Sequence, residues 1–214
     1  MPEGHNISGE ESAEASSRPA VYDQLAAHYD RAFRPLERWG LNRWRAQLLR
    51  ELPEGGCLLE VGAGTGLNFA HYPRGASGAA SEFSIEMLRR AGEKPRPADV
   101  HLVQTRAEQL PFADHSFDAA FATLVFCSVD SPADSFAELR RVVRPGGVVA
   151  LLEHVRPGGA LLGSVFDQLS RFTVWLFRDH FNRRTAEEAA RAGLRVERIE
   201  QHLFGVVQLI ICRV

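Results

Sequence analysis

Two acidic residues and three glycines have the residue types and the spacing to do chemistry. Glu60 lies in the apolar run CLLEV, and Gly62, Gly64 and Gly66 follow it at alternate positions. Glycines at the end of a parallel strand allow a ligand to approach the backbone closely, in the place where open α/β sheets bind their ligands. Glu82 lies 22 residues after Glu60, which is the distance typical of a carboxylate that binds ribose hydroxyls. The pattern therefore predicts a ligand that contains a ribose.

The glycine spacing and the neighbouring charge distinguish between classes of nucleoside cofactor. The dinucleotide fingerprint, G-x-G-x-x-G, has its third glycine where this chain has Leu67. The carboxylate of Glu60 would repel a pyrophosphate but would suit a cationic ligand. A cationic ribonucleoside without a pyrophosphate fits S-adenosylmethionine. An NAD(P)-dependent oxidoreductase is the alternative, and both Leu67 and Glu60 count against it.

Strands and helices alternate along the chain that carries these residues. Helices are expected after Gly64, after the capping residues Ser84 and Ser131, and at Thr185. The alternation predicts an α/β fold with a Rossmann-like, seven-stranded, mostly parallel sheet, helices on both faces and an antiparallel C-terminal strand. The strands are predicted in CLLEV, ASGAASE (whose composition is poor for a strand), VHLVQT, FDAAFATLVF, VVALLEHV, LRVERIEQH and VVQLIICRV.

Length and composition limit the class of protein. The chain has 214 residues, is 45% hydrophobic and has a formal net charge of -2, so it fits one domain and gives no general electrostatic reason to expect nucleic acid. No apolar run reaches membrane-spanning length, and three widely spaced cysteines predict neither disulfides nor a metal site, so we expect a cytoplasmic protein without a metal. Residues 1–19 are expected to be a disordered tail. Residues 20–214 are expected to be one domain, in which 20–52 form a helical N-terminal cap with a break near Pro35.

Four motifs, in order, resemble those of the class I S-adenosylmethionine-dependent methyltransferases. They are LLEVGAGTG, EFSIEML, RAEQLPFADHSFDAAFATLVF and AELRRVVRPGGVVALLEHV, and the match runs from about Tyr22 to the C-terminus. The resemblance implies methyl transfer by in-line displacement from S-adenosylmethionine, with S-adenosylhomocysteine as the product. Glu82 stands where the family more often has Asp. The implied cofactor contacts are Tyr22 and Tyr29 at the start of the match; Glu60, Gly62, Ala63, Gly64 and Gly66 around the methionine end; Glu82 at the ribose; Phe83, Met87, Ala107 and Glu108 at the adenine; and Thr123 and Leu124 lining the site.

The resemblance also bears on the methyl acceptor. The C-terminal half is similar to the branch that contains phosphatidylethanolamine N-methyltransferases, quinone methyltransferases and thiol methyltransferase-like proteins, which implies a small or lipid-like acceptor. Residues 156–184 would then be an insertion on the acceptor side, and the alternative is a helix that simply covers the sheet. His154 at the end of the fifth strand, with Asp179 and His180 in the insertion, are candidate catalytic residues that hold or deprotonate the acceptor. A protein that binds S-adenosylmethionine without catalysis, as an interaction module, is the other alternative.

The segment 31–50 indicates where the protein could meet a membrane. It carries six arginines against one glutamate, with aromatic residues interleaved. Basic helices with tryptophan can lie on anionic membrane surfaces, and an arginine face that is solvated and folded over the cofactor is the alternative. Peripheral membrane contact is therefore a hypothesis. The arginines are Arg31, Arg34, Arg38, Arg43, Arg45 and Arg50.

Overall fold

The N-terminal region folds into two helices that meet at a kink. A computed structural model of the chain describes residues 22–24, 26–155 and 184–214. Helix α1 (Tyr29–Leu36) runs through Pro35 into a π-helical turn, Glu37–Leu41, and then into α2 (Asn42–Leu49). The chain bends at Gly40, whose φ is 155°, so the predicted break near Pro35 was wrong. Glycine adopts this φ without the strain that a side chain would cause, and the backbone leaves the helical region at Gly40 while Pro35 stays inside helix α1.

The described part of the chain contains a sheet of seven strands. The strand order is β3-β2-β1-β4-β5-β7-β6. Strands β1 to β5 pair in parallel, and β7 runs antiparallel to both β5 and β6. The predicted fold class is confirmed. The strands are β1 (Cys57–Val61), β2 (Ser77–Glu82), β3 (Val100–Gln104), β4 (Phe117–Thr123), β5 (Val143–His154), β6 (Arg195–His202) and β7 (Val207–Arg213).

Three further helices lie in the described part of the chain, and two of them begin at the predicted caps. Helix α3 (Ile85–Gly92) begins after Ser84, whose Oγ accepts a hydrogen bond from the backbone N–H of Met87 at 3.2 Å. Helix α4 (Pro132–Val142) is capped in the same way by Ser131. Helix α5 (Thr185–Arg191) begins after Arg184, so Thr185 is a buried first residue and not the cap.

The helix expected after Gly64 does not form. This stretch contains turns and a short 3-10 helix, Phe69–His71. Gly66 has a φ of 80°, which an α-helix cannot include, and Tyr72, the residue before Pro73, has the extended ψ of 139° that a following proline favours. The glycine loop is consequently longer than the sequence indicates.

The core lies on both faces of the sheet because successive residues of the strands point in opposite directions. Leu58 and Phe121 pack in the cluster that contains Leu48 of α2. Leu59 packs in the opposite cluster, with Phe136 of α4. Helices therefore cover both faces, and the carboxyl ends of the parallel strands are left to form a site.

Candidate functional site

A cavity of about 550 Å³ opens at the carboxyl ends of β1, β2 and β4. This is the point at which the strand order reverses, since β1 lies between β2 and β4, and open α/β sheets bind ligands there. The described residues contain no cluster of three or more metal-ligating side chains. The cavity is lined by these predicted cofactor contacts: Tyr22, Tyr29, Gly62, Gly64, Glu82, Phe83, Met87, Ala107, Glu108, Thr123 and Leu124.

The Glu82 carboxylate connects the end of β2 to the glycine loop. Its Oε2 accepts a hydrogen bond from the backbone N–H of Gly64 at 2.8 Å. Its Oε1 accepts from the N–H groups of Phe83 and Ser84, both at 2.9 Å. Burial raises the pKa of Glu82, and the three N–H donors act in the opposite direction. Each carboxylate oxygen can accept more than one hydrogen bond, so Glu82 can bind ribose hydroxyls while it holds the loop.

The three glycines of the loop all have positive φ, but for different purposes. A Cβ on Gly62 would lie 2.4 Å from Cγ2 of Val125, so this glycine allows two chain segments to pack closely. A Cβ on Gly66 would lie 2.5 Å from the Phe69 ring. A Cβ on Gly64 would meet no atom within 4 Å, because Gly64 faces the cavity. Gly62 also lines the cavity, but Gly64 is the one of the three glycines at which the side-chain position is open space.

Glu60 lies behind the wall of the cavity. It is fully buried and does not line the cavity, and neither do Ala63 and Gly66. Its Oε1 accepts a hydrogen bond from Nδ2 of Asn68 at 2.6 Å, and its Oε2 accepts from the Tyr72 hydroxyl at 2.6 Å. Burial raises the pKa of this carboxyl. Direct contact between Glu60 and the cofactor stays a prediction. The structure shows in addition that Glu60 binds the residues that follow the glycine loop.

The segment that follows β3 lines one side of the cavity and carries the Glu108 carboxylate, which already accepts hydrogen bonds from the backbone. Oε1 of Glu108 accepts hydrogen bonds from the backbone N–H groups of Asp130, at 2.8 Å, and Ser131, at 3.3 Å. Arg106 forms an ion pair with Asp130 and lies 3.6 Å from Glu108. Glu108 therefore fixes the segment that follows β4 against the segment that follows β3, where the adenine is expected.

The residue that follows strand β4 is strained, and Glu153 helps to hold the segment after it. Leu124 lines the cavity and has a φ of 58°, which is uncommon for a residue with a side chain. The backbone N–H groups of Val125 and Phe126 donate to Oε1 of Glu153 at 3.0 and 3.2 Å. Sequence reasoning missed this role of Glu153, although a carboxylate in an apolar strand is a signal for it, since a buried charge needs partners.

Of the three candidate catalytic residues, the structure describes His154. His154 lines the cavity at the end of β5, and burial lowers its pKa to about 4. Its imidazole is therefore neutral near pH 7 and has one nitrogen that can accept a hydrogen bond. Asp179, His180 and the rest of 156–183 lie outside the described residues, as does the predicted tail 1–19.

The N-terminal segment is held over the cavity by polar contacts. Asp30 accepts a hydrogen bond from the Thr65 hydroxyl at 2.5 Å and forms an ion pair with Lys94 at 2.7 Å. The Tyr22 ring meets the Phe83 ring edge-on, with their centroids 5.4 Å apart. These contacts bring α1 close to the glycine loop and α3, so the cap forms one wall of the site.

Another part of the cavity wall is apolar, and some of it reaches the surface. Leu36, Trp39 and Leu203 line the cavity with exposed fractions of 52%, 75% and 38%. The sequence identified Trp39 and Trp44 as aromatic residues of a basic helix but did not place them in a cavity. The apolar wall consists of Phe33, Leu36, Trp39, Leu41 and Trp44 from the N-terminal helices and Leu203, Val206 and Val207 from the C-terminal hairpin.

Comparisons with known proteins agree with this geometry. Residues 59–151 match the family described as "Methyltransferase domain". The chain is 34% identical over 141 residues to a demethylmenaquinone methyltransferase of Renibacterium salmoninarum, which covers 64% of this chain and 59% of that protein. It is 32% identical over 187 residues to a phosphatidylethanolamine N-methyltransferase of Cereibacter sphaeroides, which covers 80% of this chain and 90% of that protein. The fold is similar to that of an S-adenosylmethionine-dependent methyltransferase from Thermotoga maritima, with a TM-score of 0.70, 21% identity and coverage of 91% and 98% of the two chains.

Proposed function

Because the chain belongs to the family of S-adenosylmethionine-dependent methyltransferases, we propose that it methylates a lipid-like acceptor in the apolar part of the cavity. Family membership replaces the NAD(P)-dependent oxidoreductase alternative. The observation that carries the proposal is the wall of aliphatic and aromatic side chains in the cavity that also contains the glycine loop. This wall ends in an exposed rim formed by Leu36, Trp39 and Leu203. Such a wall stabilises an apolar acceptor and offers few partners to a small polar one.

The cofactor half of the cavity is assigned by the same proposal. S-adenosylmethionine supplies a methyl group on a positively charged sulfur. Glu82 accepts hydrogen bonds from the ribose hydroxyls, and Phe83 and Met87 pack against the adenine. Gly64 lets the cofactor lie close to the backbone, since no side chain stands in the way. Alignment of the two reactants in a cavity that excludes water can supply much of the rate enhancement.

His154 is proposed to act on the acceptor and not on the cofactor. It lies at the end of β5, and it pairs across the sheet with Val207 of the apolar wall. Its neutral imidazole accepts a hydrogen bond from a hydroxyl, thiol or ammonium group of the acceptor and orients that group. A base is needed only when the nucleophile arrives protonated.

The exposed rim is proposed to contact the membrane in which a lipid-like acceptor would be dissolved. The rim residues Leu36 and Trp39 lie in a segment whose Arg31, Arg34 and Arg38 are also exposed. Tryptophan with arginine favours the interface of an anionic bilayer. None of the helices in the described part of the chain is long and apolar enough to span a bilayer.

Methyl transfer from radiolabelled S-adenosylmethionine tests the proposed acceptor class. The panel contains a long-chain quinol, a phosphatidylethanolamine and a long-chain thiol. It also contains short polar compounds that carry the same reactive groups. We expect label in a lipid-like member, and we expect Trp44→Ala to raise the KM for that acceptor while the Kd for the cofactor stays unchanged. Label that enters only the short polar compounds would contradict the proposal.

Vesicle sedimentation tests the membrane contact separately. We expect the protein to sediment with phosphatidylglycerol vesicles more than with phosphatidylcholine vesicles, and less as salt is added. Trp39→Ala should weaken this binding. Ile199→Ala is the matched control, because Ile199 is also an exposed apolar residue (44%) but does not line the cavity. Equal loss in both variants, or no binding by the wild type, would remove the membrane from the proposal.

A further inference from the structure

Arg45 is a buried arginine beside the cavity, at the crevice between the carboxyl ends of β1 and β4. The sequence groups it with the exposed arginines of the N-terminal helices. Arg45 lies on α2 with an exposed fraction of 4%. Its Nη1 donates hydrogen bonds to Oδ1 of Asn68 at 2.9 Å and to Oγ1 of Thr123 at 2.6 Å. Its Nε donates to Oε1 of Glu37 at 3.1 Å. One guanidinium thus connects the N-terminal helices, the segment after the glycine loop and the end of β4.

Asn68 extends these contacts to the end of β1. Its Nδ2 donates to Oε1 of Glu60 at 2.6 Å and to Oγ1 of Thr123 at 2.9 Å. Glu60 and Thr123 lie at the ends of the neighbouring strands β1 and β4, on the two sides of the crevice. The polar contacts therefore span the place where the strand order reverses.

The hydrogen bonds also orient a hydroxyl in the cavity wall. Thr123 lines the cavity, and its Oγ1 accepts hydrogen bonds from both Arg45 and Asn68. A hydroxyl has two acceptor lone pairs and one proton to donate. Since both lone pairs are used by buried donors, the O–H of Thr123 is directed away from them as a donor.

We propose that Arg45 is a positioning residue: it aligns the glycine loop with β4 and orients the Thr123 hydroxyl, so that helix α2 is part of the cofactor site. Lysine cannot replace it, because the fork of the guanidinium reaches several acceptors at fixed angles while an ammonium is a single point. The inference rests on the proposed function only in assuming that the cavity holds the cofactor.

Isothermal titration with S-adenosylmethionine tests the inference in four proteins: wild type, Arg45→Met, Thr123→Val and the double variant. We expect each single change to weaken binding on the order of tenfold, because a buried partner is lost. The double variant should bind about as weakly as the weaker single variant, because both changes remove the same contact. The matched control is Arg43→Met, an exposed arginine on the same helix, which should bind like the wild type.

Amide hydrogen exchange of the ligand-free proteins supplies a readout that does not depend on the cofactor. Residues 62–68 should exchange faster in Arg45→Met than in Arg43→Met, while the amides of β6 should be unchanged. If Arg45→Met does not fold, Arg45→Lys takes its place and should show the same pattern. Wild-type affinity in the folded Arg45 variant, or multiplied effects in the double variant, would overturn the inference. If the wild type binds S-adenosylmethionine and either of these results is obtained, the proposed function stands although the inference about Arg45 fails.

Discussion

The two acidic residues of the cofactor region have different surroundings although the sequence treats them alike. Glu82 lines the cavity and receives three backbone hydrogen bonds, whereas Glu60 is enclosed by Asn68 and Tyr72. Their spacing along the chain was sufficient to place both at strand ends. It could not distinguish a carboxylate that lines the cavity from one that is enclosed behind its wall, because this difference depends on which side chains fold back from residues 68–72. The sequence likewise could not identify Arg45 as buried, because counting charges along a segment does not show which of them are exposed.

Replacing Glu82 with Gln should weaken cofactor binding without unfolding the protein. The amide must turn its NH2 group toward at least one backbone N–H, so a hydrogen bond is lost, and affinity should fall on the order of ten- to a hundredfold. Isothermal titration measures the effect, and Glu86→Gln on α3 is the control. Because burial raises the pKa of Glu82, wild-type affinity should begin to fall on acidification at a higher pH than a solvated glutamate would cause. Unchanged affinity in Glu82→Gln would refute the ribose contact.

His154 should make the stability of the protein depend on pH below neutrality. Its pKa is lowered to about 4 in the folded state, while an unfolded histidine titrates near about 6.5. The unfolded state therefore binds more protons between these values, and stability is lost as pH falls through that window, with a slope of up to about 1.4 kcal/mol per pH unit. Urea unfolding at several pH values should show a shallower slope for His154→Gln. Equal slopes in the wild type and in His154→Gln would contradict this prediction.

At the scale of elements, predictions succeeded where one local signal decides the structure. Hydroxyl caps at Ser84 and Ser131 and the alternation of strands and helices were sufficient. β2 has a poor strand composition because it packs tightly: a Cβ on Gly78 would lie 2.1 Å from the carbonyl oxygen of Leu58. The left-handed Leu124 precedes two N–H groups that are held by Glu153 of the distant strand β5, so no local pattern predicts it, whereas Gly40 was a local signal for the kink that the prediction placed near Pro35.

The glycine loop allows a matched comparison of backbone strain and cavity space. Gly64 and Gly55 have φ values of 55° and 67°, and a Cβ on either would meet no atom within 4 Å. Gly64→Ala and Gly55→Ala should therefore lose similar stability, about 1–2 kcal/mol, from the left-handed backbone. Only Gly64→Ala should weaken cofactor binding, because only this residue faces the cavity. Thermal unfolding and isothermal titration of both variants test this, and equal affinities would show that the cofactor does not approach Gly64.

The whole molecule is organised around a cavity whose walls come from distant parts of the chain. The N-terminal helices, the ends of β1, β2 and β4 and the C-terminal hairpin all contribute lining residues. Most of the residues that the sequence predicts to contact the cofactor do line this cavity, because each of their motifs is a short contiguous segment at the end of a strand. The apolar wall could not be predicted, because it is assembled from residues 33–44 and 203–207, which no spacing rule connects.

Ligand binding to such an assembled cavity should stabilise the entire fold. At a cofactor concentration of about 100 times its Kd, linkage adds about 2.7 kcal/mol to the free energy of unfolding. For a domain of this size we expect the unfolding midpoint to rise by about 5 to 10 °C. Scanning calorimetry with S-adenosylmethionine measures the shift, and Glu82→Gln should show a smaller one at the same concentration. A comparable shift with NADH would speak against selective recognition of the methyl donor.

The position of β7 has a consequence for synthesis of the chain. β7 is made after β6 but lies between β5 and β6, so the outer edge of β5 stays unpaired until β7 has emerged. About 60 residues separate the ends of β5 and β7. At about 5–20 residues per second, the ribosome needs roughly 3 to 12 seconds to make them. During this time an apolar strand with open hydrogen-bonding groups is available to other nascent chains. Slow translation of this stretch should therefore increase aggregation of the newly made protein even though the finished fold is unchanged.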